Sequence, residues 1–181
     1  MNKAFFLLFI FSSLFSFSQI EVDRTTPNDN PTYLIDNVLL GGGIVAFNHF
    51  YEGDSAQIGF FNAVNTNLGL DSGIVMATGG IENLVPGNTN WAAITNTVTD
   101  PDLLNVANSV PGLIGQSFTV SSVNDIAKLE FDFVPTSDTI TFRYVFGSQE
   151  YFAYENTQYN DVFGFFLSGP GIAGPWSNGA V

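Results

Sequence analysis

The clearest alternation of apolar and polar residues lies near position 130. Leu129, Phe131 and Phe133 alternate with Glu130 and Asp132. Successive side chains of a β-strand point to opposite faces, so this period of two is that of a strand with one buried face. The pattern predicts a half-buried strand over residues 129–133.

A second alternating segment, 139–146, follows after a Pro-Thr-Ser-Asp turn at 135–138. Its apolar face consists of Ile140, Phe142, Tyr144 and Phe146. Two alternating runs joined by a short turn are typical of a β-hairpin. We therefore expect the two runs to pair, with Arg143 facing Glu130 or Asp132 across the hairpin.

Further strands are indicated by short apolar runs at 44–47 and 73–77, each bounded by glycine, asparagine or aspartate. The run at 162–167 is apolar on both faces, which favours a central position in a sheet. Many short strands with turn signals between them predict an all-β fold, specifically an antiparallel two-sheet sandwich of the jelly-roll type.

One or two short helices are expected in addition. Residues 33–40 have apolar side chains at helical spacing, with Thr32 as the N-cap and Gly41 as the C-cap. A second helix is indicated by Asp100-Pro101, an N-cap followed by proline at the first helical position. Its apolar stripe would consist of Leu103, Leu104 and Ala107.

The N-terminus has the features of a secretory signal peptide. Lys3 precedes an apolar stretch, and small residues end at Ser18, so cleavage would leave Gln19 as the first residue. The stretch is interrupted by serines and is too short for a mature transmembrane anchor. We expect a signal peptide over 1–18, a flexible lead-in over 19–31 and one domain over 32–181. The alternative is a buried N-terminal helix. No strand signal follows the last glycines, so we expect either that the natural protein extends beyond Val181 or that the last edge of the sheet is left open.

Charge narrows the range of partners. Removal of residues 1–18 leaves three basic residues against seventeen acidic ones, a net charge of −14. Such a surface repels phosphate backbones and anionic lipids, which excludes nucleic acid and anionic membranes as partners. It attracts cations, and carboxylate and amide oxygens are the ligands that calcium prefers. The chain has no cysteine, so thiol chemistry and disulfides are excluded.

Candidate site residues crowd the segment between the predicted strands at 139–146 and 162–167. We predict calcium ligands at Glu150, Glu155, Asn160 and Asp161. We predict that exposed tyrosines there stack on a sugar ring or a protein partner, namely Tyr151, Tyr154 and Tyr159. The alternative is that these residues form only a polar loop with a turn at Asn160-Asp161.

The sequence also offers two catalytic alternatives, each with less support than the calcium and tyrosine site. Glu150 and Glu155 would serve as the carboxylate pair of a secreted glycosidase if they flanked a sugar. Asp71-Ser72-Gly73 resembles one loop of an aspartic protease, but the second loop that such enzymes need is missing, so a turn before a strand is favoured.

Several blocks of the chain resemble the choice-of-anchor L domain of bacterial surface proteins, a family common in flavobacteria. These blocks lie at 53–60, 68–79, 129–135, 142–151 and 160–172. The resemblance implies an exported, adhesin-like protein at the outer surface or in the medium. Together with the charge and the missing catalytic motifs, it favours a non-enzymatic adhesion or interaction module that binds protein or carbohydrate.

Overall fold

The computed structural model describes residues 19–40, 44–84, 94, 96–148, 154 and 161–181. The predicted signal peptide, 1–18, and the predicted cap Gly41 lie outside these residues. In chain order the strands are β1 (Glu21–Asp23), β2 (Val45–Glu52), β3 (Ile58–Asn62), β4 (Ser72–Met76) and β5 (Lys128–Val134). The helices are α1 (Pro31–Leu34), which continues as a π-helical turn (Ile35–Leu39), and α2 (Pro101–Leu113). Short 3-10 turns occur at Ser55–Gln57, Ile81–Leu84 and Ser177–Gly179. A β-rich fold with antiparallel sheets and two short helices is therefore confirmed.

The first sheet has the order β1-β3-β4, and both pairings are antiparallel. Phe61 of the central strand β3 lies opposite Val22 on one side and Gly73 on the other. β3 is the most buried strand, since it lies between β1 and β4 and also packs against α1. β1 lies within residues 19–31, where the sequence indicates a flexible lead-in; its three residues pair instead with β3.

The second sheet is the antiparallel pair β2 and β5. β5 has the predicted alternation, since Leu129, Phe131 and Phe133 are half-buried while the acidic residues between them are exposed. A bulge interrupts the ladder between Phe47 and Phe50. At the bulge Asn48 adopts a positive φ of 53°, and its Nδ2 donates to Asp132 Oδ2 at 2.6 Å.

The predicted hairpin is wrong. β5 pairs with β2, and residues 139–146 form no regular strand. The Arg143 guanidinium reaches neither Glu130 nor Asp132; its Nη2 donates to the Gly69 carbonyl oxygen at 2.6 Å. Residues 139–146 therefore contact the loop that precedes β4. The charge-assisted hydrogen bond from Arg143 to Gly69 forms in place of the expected cross-strand ion pair.

The helical segment 31–39 joins the two sheets, since α1 contacts both β2 and β3 and the π-helical turn contacts β4. Its Leu34 and Ile35 are completely buried, as are Ile58 and Ile81. The helix begins earlier than predicted: Asn30 is the N-cap, and its Oδ1 accepts from the Thr32 and Tyr33 amides. Proline suits the first helical position because the amide it lacks would have no partner there. The helix therefore begins at Pro31, and the residue before it, Asn30, becomes the N-cap in place of Thr32.

The structure confirms the predicted start of α2, with Asp100 as the N-cap. The Asp100 carboxylate accepts from the Leu103 amide at 2.9 Å, and Pro101 occupies the first helical position. Its predicted stripe is half-buried. Asp102 in the first turn accepts from the Ser177 amide at 2.9 Å, which fixes the C-terminal loop against this helix.

A buried amide lies where the two sheets and the loop before β5 meet. Gln57 is fully buried, and its Nε2 donates to the carbonyl oxygens of Thr78 (3.2 Å) and Asp125 (2.6 Å). Its Oε1 accepts from the Asp54 amide (2.7 Å) and from Asn96 Nδ2 (3.0 Å). All hydrogen-bonding positions of the side chain are therefore occupied, which makes Gln57 the polar link between otherwise distant loops.

Candidate functional site

Five aromatic side chains form a contiguous exposed group, which we call the aromatic array. Its members are Phe142, Tyr144, Phe146, Phe163 and Phe165. Residues two apart in an extended chain point to the same side, so each of the two segments presents its rings on one face. The spacing of these residues along the sequence is therefore sufficient to align the rings.

The rings contact one another across the two segments. The centroids are 4.7 Å apart for Phe142 and Phe165, and 5.5 Å apart for Tyr144 and Phe163. Phe146 adds a tilted contact with Phe163 at 6.2 Å. These distances lie in the range where aromatic pairs attract each other, by about 0.5–1.5 kcal/mol per pair. The pairing order, 142 with 165 and 144 with 163, shows that the segments run antiparallel.

The array faces solvent. Tyr144 is 69% exposed, Phe165 55% and Phe142 37%. The sequence predicts the opposite, since Phe142, Tyr144 and Phe146 form the apolar face of an expected half-buried strand and 162–167 is expected at the centre of a sheet. Both expectations are wrong for these residues, because no second layer of the described chain covers the rings. Large contiguous exposed apolar surfaces are often found at interaction sites, so the array is the candidate site in the described residues.

The opposite face of the second segment supports the array. Val162, Gly164 and Phe166 are half-buried. The Phe166 ring meets the edge of Trp176 with centroids 5.7 Å apart. A side chain added at Gly164 would approach Leu103 of α2 to 3.0 Å, so α2 lies directly behind this segment. The array is therefore carried on α2 and the C-terminal loop.

The predicted tyrosine and calcium site can be placed only in part. Tyr154 and Asp161 are described, and both are exposed. The remaining predicted site residues lie outside the described chain: Glu150, Tyr151, Glu155, Tyr159 and Asn160. Asp161 directly precedes the segment that carries Phe163 and Phe165, so the predicted site and the array are contiguous along the chain. Among the described residues, no three His, Asp or Glu side chains lie close enough to hold a metal ion.

Each of the basic side chains after residue 18 is engaged within the molecule. Arg24 contacts Glu82 at 2.6 Å, and Arg143 contacts the Gly69 carbonyl oxygen. Lys128 lies 3.2 Å from Glu52 and 3.7 Å from Asp100 and Glu130. Burial by itself would lower the pKa of Lys128, but the hydrogen bond to Glu52 and the charges of its neighbours outweigh it and raise that pKa. These three residues thus form no basic patch that a phosphate backbone needs.

The catalytic alternatives gain no support from the described residues. Asp71 precedes β4 and its carbonyl oxygen accepts from the Ala63 amide at 2.7 Å, so the favoured interpretation as a turn before a strand is confirmed. An apolar pocket beside Phe131, Phe133, Ile140 and Phe142 encloses about 70 Å³. Ligand pockets for small organic molecules have volumes of roughly 300–1,000 Å³, so this one is too small for a sugar.

One comparison with known proteins identifies a family. The model of the choice-of-anchor L domain family matches residues 21–181. Neither the curated proteins nor the solved structures gave a significant match. In the described residues no helix is long and apolar enough to cross a bilayer. The matched range starts at β1 and covers both sheets, α2 and the array, and the family indicates a surface-associated module of bacteria. The chain belongs to the choice-of-anchor L domain family.

Proposed function

We propose that this domain is a non-enzymatic adhesion or interaction module of an exported bacterial protein, and that the aromatic array is its contact surface. The observation that carries the proposal is the array itself, five solvent-facing rings that make three ring–ring contacts across two adjacent segments. Aromatic residues are enriched at the centres of interfaces, where they bury much area at a low cost in side-chain entropy.

Charge and position indicate the kind of partner. The chain carries a net charge of −13, or −14 without residues 1–18, so it disfavours acidic partners. Exposed rings accept either the apolar face of a sugar or the apolar side chains of a protein. A protein or carbohydrate at the cell surface therefore fits. The N-terminal pattern supports a location on the outer surface or in the medium.

Location is tested by immunoblotting outer-surface, periplasmic and medium fractions with antibody to the chain that begins at Gln19. We expect the antigen at the cell surface or in the medium, and accessible to protease added to intact cells. An antigen found only in the cytoplasm refutes export, and with it the proposed function.

Contact through the array is tested with beads that carry the domain, applied to intact bacteria and to surfaces coated with protein or polysaccharide. The variant Tyr144→Ser/Phe163→Ser/Phe165→Ser removes three exposed rings. Adhesion should fall at least about tenfold, since this corresponds to only 1.4 kcal/mol and a fully buried ring contributes about 1.5–3 kcal/mol.

The matched control is Val64→Ser/Leu113→Ser, two exposed apolar residues outside the array. Circular dichroism melting confirms that both variants fold. If the control loses adhesion as much as the array variant, or if neither loses any, the array is not the contact surface.

We also propose that calcium binds the acidic segment that ends at Asp161, as the carboxylate and amide content of residues 150–161 suggests. Calcium at a hundredfold its dissociation constant adds about 2.7 kcal/mol to stability. The melting temperature should therefore rise with calcium and fall with chelator, and Glu155→Gln should abolish the difference. An unchanged melting temperature excludes the calcium site.

The rival activity, a secreted glycosidase, is tested by screening oligosaccharides for hydrolysis by the wild type and by Glu150→Gln. We expect no turnover by either protein. Turnover that Glu150→Gln abolishes would replace the interaction module with an enzyme.

A further inference from the structure

One face of the pair β2 and β5 combines exposed apolar and acidic side chains, and we call it the sheet face. Residues directly opposite each other on paired strands share a face. Three such pairs form the sheet face, namely Val45 with Val134, Phe47 with Asp132, and Phe50 with Glu130. All six side chains are exposed. The bulge in β2 keeps Phe47 and Phe50 on the same face although they are three residues apart.

The sheet face and the array lie on different sides of β5. Phe131 and Phe133 alternate with the acidic residues of β5, so their side chains point away from the sheet face. They line the apolar pocket together with Phe142, a member of the array. A partner bound to the sheet face therefore does not compete with one bound to the array.

The pair Phe50 and Glu130 already binds an ammonium group of this chain. The Lys128 Nζ lies 5.9 Å from the centroid of the Phe50 ring and 3.7 Å from Glu130 Oε2. Glu52, opposite Lys128 on the ladder, adds a contact at 3.2 Å. A cation at this distance is attracted by the electron-rich face of the ring, and the carboxylates add charge attraction. Ring and carboxylate together thus hold a basic side chain.

The pair Phe47 and Asp132 repeats this arrangement one step along the ladder, with a ring and a carboxylate directly opposite each other. Asp132 Oδ2 accepts from Asn48 Nδ2 at 2.6 Å, which orients the carboxylate but brings no charge. A carboxylate can accept further hydrogen bonds. In the described part of the chain Asp132 forms no ion pair. The second pair therefore offers to an external cation the chemistry that the first offers to Lys128.

We propose that the sheet face binds a partner protein through a basic side chain, arginine or lysine, that lies over Phe47 and pairs with Asp132. An apolar side chain of the same partner packs on Val45 and Val134. These two contacts are two residues apart on β2, about 7 Å, which matches alternate residues of an extended segment. The surface is additional to the array, and binding at one does not require binding at the other.

Charge selects this partner over the other occupants. After residue 18 the chain has three basic and seventeen acidic residues, so a basic segment is attracted and a second copy is repelled. A neutral sugar could donate hydroxyl groups to Asp132 and stack on Phe47. Only a cation, however, gains both from the face of the ring and from the charge of the carboxylate.

The probe is the peptide acetyl-Thr-Val-Thr-Arg-Thr-amide, titrated into the ¹⁵N-labelled chain that begins at Gln19 and followed by NMR. We expect chemical-shift changes at the amides of β2 and β5. A peptide with citrulline in place of arginine has nearly the same shape without the charge. It should bind at least about threefold more weakly, because it loses both the ion pair and the attraction to the ring.

Two variants locate the cation on the protein. Asp132→Asn should weaken the arginine peptide at least about threefold, whereas Asp71→Asn, an equal change of charge at an exposed position before β4, should leave its affinity unchanged. Phe47→Leu keeps an apolar contact and removes the ring, so it should weaken the arginine peptide at least about twofold. The citrulline peptide should bind the wild type and Phe47→Leu equally. The amide spectrum of each variant reports whether it folds.

Three results overturn the proposal: no shifts in β2 and β5 up to about 10 mM peptide, equal affinity for the arginine and citrulline peptides, or an Asp71→Asn loss equal to that of Asp132→Asn. The last result would mean attraction to the total charge of the chain. Maltohexaose that shifts these amides when the peptide does not would assign the sheet face to carbohydrate and likewise overturn it. If beads still adhere through the array in any of these cases, the proposed function stands.

Discussion

Replacement of Gln57 by methionine tests whether its buried amide links the loops around the two sheets. Methionine has a similar length and volume, so the substitution removes hydrogen bonds with little change in packing. It leaves the Thr78 and Asp125 carbonyl oxygens and the Asp54 amide without their side-chain partner, and it takes one acceptor from Asn96.

The magnitude follows from four lost hydrogen bonds. Each contributes about 0.5–1.5 kcal/mol net, so the expected loss is about 2–6 kcal/mol, and about 3 kcal/mol if the loops relax toward water. For a domain of this size 1 kcal/mol corresponds to about 2–4 °C, so the melting temperature should fall by about 6–12 °C.

Gln57→Glu should be more damaging at neutral pH. A carboxylate there cannot donate to the Thr78 and Asp125 carbonyl oxygens, and it places a charge in a fully buried position. Burial raises the pKa of the introduced carboxyl in the folded state. Its protonated form therefore stabilises the fold at low pH, and that contribution is lost as pH rises, so this variant should regain stability on acidification.

Urea unfolding followed by circular dichroism measures the free energies of unfolding, with Asn65→Met at an exposed position as the control. The slope of free energy against urea should not change. A loss below about 0.5 kcal/mol for Gln57→Met, or a control that loses as much, would refute the idea that this amide joins the loops.

Three further predictions concern single side chains. Burial and, second, the charge of Asp54 raise the pKa of Tyr51 to about 12. The stability that the protonated Tyr51 contributes is complete below the pKa of an unfolded tyrosine, about 10, and is lost as pH rises from there toward 12. Absorbance titration at 295 nm should therefore show a late-ionising tyrosine that Tyr51→Phe removes, and its persistence in that variant would contradict the assignment. Hydrogen bonds from the Thr25 hydroxyl and amide, and from Asn28, lower the pKa of Asp23. The stability that this ionised carboxylate contributes is present above its ordinary pKa of 3.8 and is lost as pH falls. Asp23→Asn should therefore flatten the acid limb of the stability measured by urea unfolding, and an unaltered limb would contradict this. Asp100→Ala removes the cap of α2 and should cost about 1 kcal/mol in urea unfolding, whereas Asp100→Asn keeps the cap and should cost less; equal losses would mean that the contact with Lys128 matters more than the cap.

The local elements were predictable because their signals are local. The period of two at 129–133 predicts β5, and Asp100-Pro101 predicts the start of α2, since each depends on neighbours in the chain. The turn before β4 was predictable for the same reason. Of the predicted site, Tyr154 and Asp161 are found exposed, while the calcium and tyrosine assignments stay predictions, as does the sandwich.

Strand partners were not predictable in this way. A hairpin with residues 139–146 is the nearest pairing for β5, but those residues form no strand, and β5 pairs with β2, about eighty residues earlier. The alternation of apolar and polar residues indicates which residues share a face of a strand. It does not indicate which distant strand pairs with that strand. The array was missed for the same reason, although its signal, five aromatic residues at alternate positions in two segments, is present in the sequence.

The sequence by itself determined the family, the acidic charge, the alternation of the strands and the start of α2, because each is written in composition or in spacing along the chain. Only the tertiary structure decided that β5 pairs with β2, that Gln57 joins four loop groups and that the aromatic array faces solvent. Which face of a segment is covered depends on what the rest of the chain places above it, and that is a property of contacts between residues far apart in sequence.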